Sequence, residues 1–206
     1  MHSINLKFFG AAVCAATLLL GNAVAADLAK LQETCDGCHG KDGASTEPEF
    51  PSIGGMSKNY IEYNLGDYKA KKRPCPEVAW KSGPNKGQKT DMCEQSKELS
   101  AGDIGQLAKL YASKKFVRAS QKFDATLAQK GKAIHQANCE KCHANDGTDV
   151  KDDAGMLAGQ WTPYLRTAIQ ELKSGKRKME QKMQRPINSL DADAVEALLN
   201  YYASVK

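Results

Sequence analysis

Apolar residues recur along this chain at the spacing of helix faces, and strand signals are absent. Ile104, Leu107, Ala108 and Tyr111 share one face of a segment that opens at Asp103; Val195, Leu198, Leu199 and Tyr202 do the same near the C-terminus. The pattern predicts helices over 103–113 and 191–204. A third helix is expected over 57–71, opening on Ser57, a residue suited to capping. A fourth opens on Thr162-Pro163, a cap followed by proline at the first helical position. Segments 27–34 and 124–138 complete the set. One stretch follows a different rule. Phe8 to Val24 is almost wholly apolar, sits behind Lys7, and ends in the small-x-small run Ala23-Val24-Ala25. It is too short and alanine-rich for a membrane span and reads as a signal peptide over 1–25, cleaved after Ala25 or Ala26. No later segment is apolar enough to span a bilayer, so the expectation is a soluble protein exported to the periplasm.

The helices come in two sets. A shift that carries Cys35 onto Cys139 also carries Asp42-Gly43 onto Asp146-Gly147, Tyr60 onto Tyr164, and Lys72-Arg73 onto Lys176-Arg177. Farther on, a shorter shift pairs Leu99 with Leu190, Leu107 with Leu198, and Tyr111-Ala112-Ser113 with Tyr202-Ala203-Ser204. The first copy therefore carries an insertion between Arg73 and Met92. The repeat implies an all-α protein of two tandem domains, 26–113 and 124–206, joined by a basic linker over 114–123.

Cysteine placement says what the domains hold. Of seven cysteines, Cys14 leaves with the leader, and four of the other six form Cys35-x-x-Cys38-His39 and Cys139-x-x-Cys142-His143. This is the attachment motif of a c-type haem: two thiols one helical turn apart meet two vinyl groups, and the adjacent imidazole reaches the iron from the same side. A zinc site or a pair of redox dithiols would use the cysteines but would not explain a histidine directly after each pair. Two covalently bound haems are expected. They also supply the apolar centre that so small a helical domain lacks.

Only His39, His135 and His143 survive leader removal, too few for bis-histidine ligation of two irons, and His135 lies one turn before Cys139 on the proximal side. Methionine is the usual sixth ligand in such a carrier. Met92 and Met183 are repeat partners, each seven residues before the leucine that opens the last helix. Met179 competes with Met183; Met56 and Met156 follow their motifs too closely and read as packing residues. Cys75 and Cys93 bracket the insertion and, in an oxidising compartment, read as a disulfide. The alternative is that one of them is an axial thiolate.

Charge excludes little more. The net charge of +5 falls to +4 when Lys7 is lost, and four haem propionates would offset most of it, so nucleic-acid binding is not indicated. Lys69, Lys71, Lys72 and Arg73, and Lys173, Lys176, Arg177, Lys178, Lys182 and Arg185, read either as a solvated helix face or as a docking collar for an acidic redox partner.

Beyond the haem motifs, the runs Leu157-Ala158-Gly159-Gln160-Trp161-Thr162-Pro163-Tyr164-Leu165 and Met179-Glu180-x-Lys182-Met183 resemble the dihaem cytochrome subunit of flavocytochrome c sulfide dehydrogenase. Phe123-Asp124-x-x-Leu127-Ala128 and Pro51-Ser52-Ile53 are similar to it too; the insertion holding Cys75 and Cys93 departs from it. The resemblance implies a non-enzymatic subunit that accepts electrons from an FAD-containing flavoprotein oxidising sulfide and passes them to a downstream cytochrome or oxidase. In such a complex Trp161 and Tyr164 would be candidate anchors for the partner; the other reading is that both pack on the second haem. A free-standing dihaem carrier to a terminal oxidase, or a haem enzyme of thiosulfate-oxidising or peroxidatic type, are the other classes open to this chain.

Overall fold

The computed structural model describes residues 19–151 and 153–206. The first 18 positions of the expected leader lie outside them. Helix α1 (Leu19–His39) is longer than the predicted 27–34 and carries the whole first haem motif in its last turns. Nothing in the sequence stops it before Gly40, whose φ of 75° takes the chain out of the helix. α2 (Lys58–Lys69) begins where expected, with the Ser57 hydroxyl accepting from Tyr60 N. α3 (Met92–Lys97) is capped by Asp91, and α4 (Ala101–Ala112) by a reciprocal box between Ser100 and Asp103.

The second copy follows the same plan. α5 (Ala125–Asn138) starts on Asp124, and a short turn α6 (Ala144–Gly147) follows the second motif. α7 (Thr162–Lys173), α8 (Gln181–Ser189) and α9 (Ala192–Ser204) complete it. Asp42-Gly43 and Asp146-Gly147 both turn through left-handed backbone just after their motifs.

Each copy builds its own core. In the first, Ile61, Leu99, Leu107, Ala108 and Tyr111 are buried together as α2 packs on α3 and α4. In the second, Leu165, Leu172, Leu190, Leu198, Leu199 and Tyr202 do so. The absence of strands needs correction. Within the insertion, β1 (Val78–Ala79) and β2 (Lys89–Thr90) pair antiparallel in a two-residue ladder, a length too short to leave an alternating pattern. Cys75 and Cys93 are joined by a disulfide at its base.

The two copies meet face to face around an approximate two-fold. Gln160 is fully buried; its Oε1 accepts from Ser52 N at 3.0 Å and its Nε2 donates to Ser52 O at 2.6 Å. At the repeat-equivalent place Met156 N approaches Met56 Sδ at 3.5 Å, and both methionines are buried, Met156 within the first copy's core. The linker is pinned rather than free. Ala119 N donates to Gly159 O at 2.7 Å, Gln121 Nε2 donates to Gln160 O at 2.6 Å, and Arg118 Nη1 donates to Val205 O at 2.9 Å. Among the described residues, no helix is long and apolar enough to cross a membrane.

Candidate functional site

The first motif opens on a cavity of about 460 Å³, within the roughly 300–1,000 Å³ of cofactor sites. Cys35, Cys38 and His39 line it from α1; Met92 lines it from the start of α3, with Met56, Ile61, Leu65 and Leu107 as apolar wall. Tyr164 and Ala168 of α7 close it from the second copy. The structure thus brings Cys35, Cys38, His39 and Met92 to one space, and it brings Met56 there as well. Met183 lies inside α8 rather than on an open loop; it and Met179 both pack, half-buried, against the second core.

The two motif histidines are held identically. His39 Nδ1 bonds Pro51 O at 2.9 Å, and His143 Nδ1 bonds Gly155 O at 3.1 Å, at positions that are themselves repeat partners. A carbonyl can only accept, so Nδ1 carries the proton and Nε2 keeps its lone pair. Burial lowers the pKa of both imidazoles, which keeps them neutral as ligation requires. Burial likewise pushes the Cys35 thiol up to about 12 and raises Cys139.

Behind each motif a tyrosine from the last helix fixes the turn. Tyr111 Oη donates to Asp36 Oδ1 at 2.8 Å. In the second copy His135 intervenes, fully buried, with Nδ1 3.0 Å from Tyr202 Oη and Nε2 2.6 Å from Glu140 Oε2. His135 is therefore a buried packing residue and not a surface one.

The predicted basic collar divides. Lys69 Nζ donates to Leu99 O and Lys173 Nζ to Leu190 O, so these repeat partners tie down the ends of the two methionine segments. Arg73 is buried, stacked 4.3 Å over Tyr68, and donates to Asn64 Oδ1, to which Arg177 also donates at 3.2 Å. The arginines cross between copies: the Arg177 guanidinium faces Tyr60, and that of Arg73 faces Tyr164. Burial raises the Tyr60 hydroxyl, whereas Tyr164, against both guanidiniums, is lowered. Lys71, Lys72, Lys176, Lys178, Lys182 and Arg185 remain exposed.

Trp161 and Tyr164 are spent inside the molecule too. Trp161 Nε1 donates to Ser45 O at 3.0 Å in the first copy, and Tyr164 lines the first copy's cavity, so both aromatics join the two halves. The residues that sequence reasoning missed are this arginine–tyrosine cluster and Gln160; the repeat pairs Tyr60/Tyr164 and Arg73/Arg177 were its visible signal.

The cluster also tests the fit of haem. Arg73 Nε is buried with no hydrogen-bond partner, and the partners of both guanidiniums named above are amides and phenols. Among the described residues neither guanidinium is paired with a carboxylate, and a buried guanidinium calls for a planar carboxylate. Haem propionates have that chemistry, and the thiols, imidazole and apolar wall accommodate the remainder.

Comparison with known proteins agrees. Residues 126–201 match the family described as cytochrome c oxidase, cbb3-type, subunit III. The chain is 30% identical over 155 residues to cytochrome c4 of Stutzerimonas stutzeri, covering 69% of each protein. The chain belongs to the cytochrome c4 family. Its structure superposes on reduced recombinant cytochrome c4 from Pseudomonas stutzeri with a TM-score of 0.70 at 26% identity, over 88% of this chain and 98% of that one. Across its whole length it is 26% identical to a thiosulfate dehydrogenase electron acceptor of Stutzerimonas stutzeri strain A1501, covering 97% of it. Like its family, the chain is an all-α dihaem cytochrome c that carries electrons and is not an enzyme, with two covalently bound haem c groups.

Proposed function

We propose that this protein is a periplasmic dihaem carrier that accepts electrons singly from a dehydrogenase of inorganic sulfur and delivers them to a downstream cytochrome or oxidase. Residues 1–25 direct export and are removed; 26–113 and 124–206 hold one haem each. Cys35 and Cys38, and Cys139 and Cys142, bind the two groups through thioethers. His39 with Met92, and His143 with Met183, supply the axial ligands. Each bound haem supplies a one-electron iron couple. Arg73 and Arg177, with Tyr60 and Tyr164, neutralise and orient the propionates where the two copies meet.

The observation that carries this reading is the pair of equivalent bonds from His39 to Pro51 O and from His143 to Gly155 O. Two imidazoles held neutral, in one tautomer, each directly after a cysteine pair, are prepared to bind iron and have no comparable use in a dithiol or zinc protein.

The resemblance of 157–165 and 179–183 to the sulfide dehydrogenase subunit favours a flavoprotein that oxidises sulfide as the donor. The whole-length likeness to the acceptor of a thiosulfate dehydrogenase favours thiosulfate as a second reading. Stopped-flow reduction decides between them. The cytochrome, mixed in turn with each dehydrogenase and its substrate, should be reduced far faster by one donor than by sulfide or thiosulfate alone. Equal rates with and without both dehydrogenases would leave a carrier with a different donor.

A further inference from the structure

The insertion has no counterpart in the second copy, and the structure shows what it lies on. Its hairpin folds back over the first haem motif. Lys81 N and Ser82 N both donate to Gly37 O, at 3.1 and 2.9 Å, and Ser82 Oγ reaches the same oxygen at 3.3 Å. The Trp80 ring lies directly on Gly37: a Cβ there would come within 2.5 Å of Trp80 Cε3 and 2.7 Å of Cζ3. Gly37 and Trp80 are both buried. Lys81 binds the hairpin to the rim beyond the motif, 3.5 Å from Glu49 and 5.5 Å from the Phe50 ring centre. The disulfide between Cys75 and Cys93 fixes the base of the structure.

The repeat partner of Gly37 is Lys141, and Lys141 is exposed. The second of the two residues between the cysteines is thus glycine where a tryptophan covers it and lysine where solvent meets it. One side of the molecule has been adapted to being covered, the other to being reached.

We propose that the insertion closes the edge at Cys35 and Cys38 to redox partners, so that electrons enter and leave this carrier over the edge at Cys139–Lys141–Cys142, against a partner presenting a carboxylate to Lys141. This rests on the reading that the two cysteine pairs carry the haems. The first copy then exchanges electrons only with the second, through the face where Arg73, Tyr60, Tyr164 and Arg177 meet.

The test uses the full-length, haem-loaded protein and ferricyanide, an anion that takes one electron from each ferrous iron without a proton. Lys141→Glu should slow oxidation several-fold by repelling the anion at the entry point, and Lys86→Glu, at an exposed position of the hairpin, should leave the rate unchanged. Replacing 78–90 by a short Gly/Ser linker, with Cys75 and Cys93 retained, opens a second entry. The rate should then be roughly doubled, as for two parallel encounters, and Lys141→Glu should lose much of its effect in that background. Potentiometry gives a readout apart from transfer rates: wetting the first site should lower one of the two potentials and leave the other in place. Trp80→Ala, a milder change, should move both readouts in the same direction and serves if the shortened chain folds poorly. Equal slowing by Lys86→Glu and Lys141→Glu, or unchanged rates and potentials in both hairpin variants, would overturn the proposal. A wild-type chain carrying fewer than two haems by pyridine haemochrome would instead overturn the haem reading beneath it.

Discussion

Methionine ligation is decided one side chain at a time. If both irons have His/Met ligation as proposed, Met183→Ala should remove about half of the weak far-red sulfur-to-iron band, and Met92→Ala the other half. If Met179→Ala does so in place of Met183→Ala, the second ligand is reassigned; both side chains pack on the same core. Gln160 makes a different residue-scale case. Its amide closes both backbone groups of Ser52 in a buried site, so Gln160→Ala leaves a donor and an acceptor without partners. The expected cost is about 1–3 kcal/mol of stability, read as a lowered denaturant midpoint with haem content unchanged. Sequence reasoning favours Met183 because it has a repeat partner in Met92. It gave Gln160 no role, because the partner of that position is Met56 and the contact it makes lies in the other copy.

Helices α5 and α9 show how much one contact between elements can depend on a missing methyl group. A Cβ on Gly131 would fall 2.0 Å from Ala197 O and 2.7 Å from Tyr201 Cβ, both on a neighbouring helix that cannot yield locally. Gly131→Ala should therefore separate the two helices and destabilise the second copy severely, by about 1–3 kcal/mol or more as overpacking does. Calorimetry should show an early transition. A milder effect is expected at the start of α4, where Ser100→Ala removes one arm of the capping box and should cost about 1 kcal/mol. Helix starts were legible where a cap is local chemistry: Ser57, Asp124 and Asp191 all accept from the first turn as their residue types suggest. Thr162 is not the expected cap: it is the first residue of α7, after Trp161, and its hydroxyl donates to Gln121 Oε1 of the linker. The hairpin β1–β2 was not legible, since two paired residues leave no period. The extension of α1 through its motif was not either, because only the left-handed turn at Gly40 ends it.

At the scale of the whole molecule, the two copies are joined by a cluster of guanidiniums and phenols around the buried Arg73. Arg73→Leu removes a charge that Tyr164 and a propionate would share, so it should shift one or both haem potentials downward while leaving the far-red band intact. A potentiometric titration with unchanged potentials would detach Arg73 from the haems. What the sequence determined by itself were the features carried by local spacing: two motifs of cysteine and histidine, amphipathic helices with their caps, and the repeat that orders them. These depend on residues a turn apart, so the order of residue types along the chain is enough to reveal them. Tertiary structure decided everything that depends on residues a hundred positions apart. It turned Trp161 and Tyr164 from expected partner anchors into internal joints. It drew Arg73 and Arg177 inward from an apparent surface collar and tied Lys69 and Lys173 to backbone carbonyls. It laid Trp80 on Gly37. A side chain's type states what it can bond to, but whether its partner is water, its own copy or the other copy is fixed only when the two copies close on each other and exclude solvent between them.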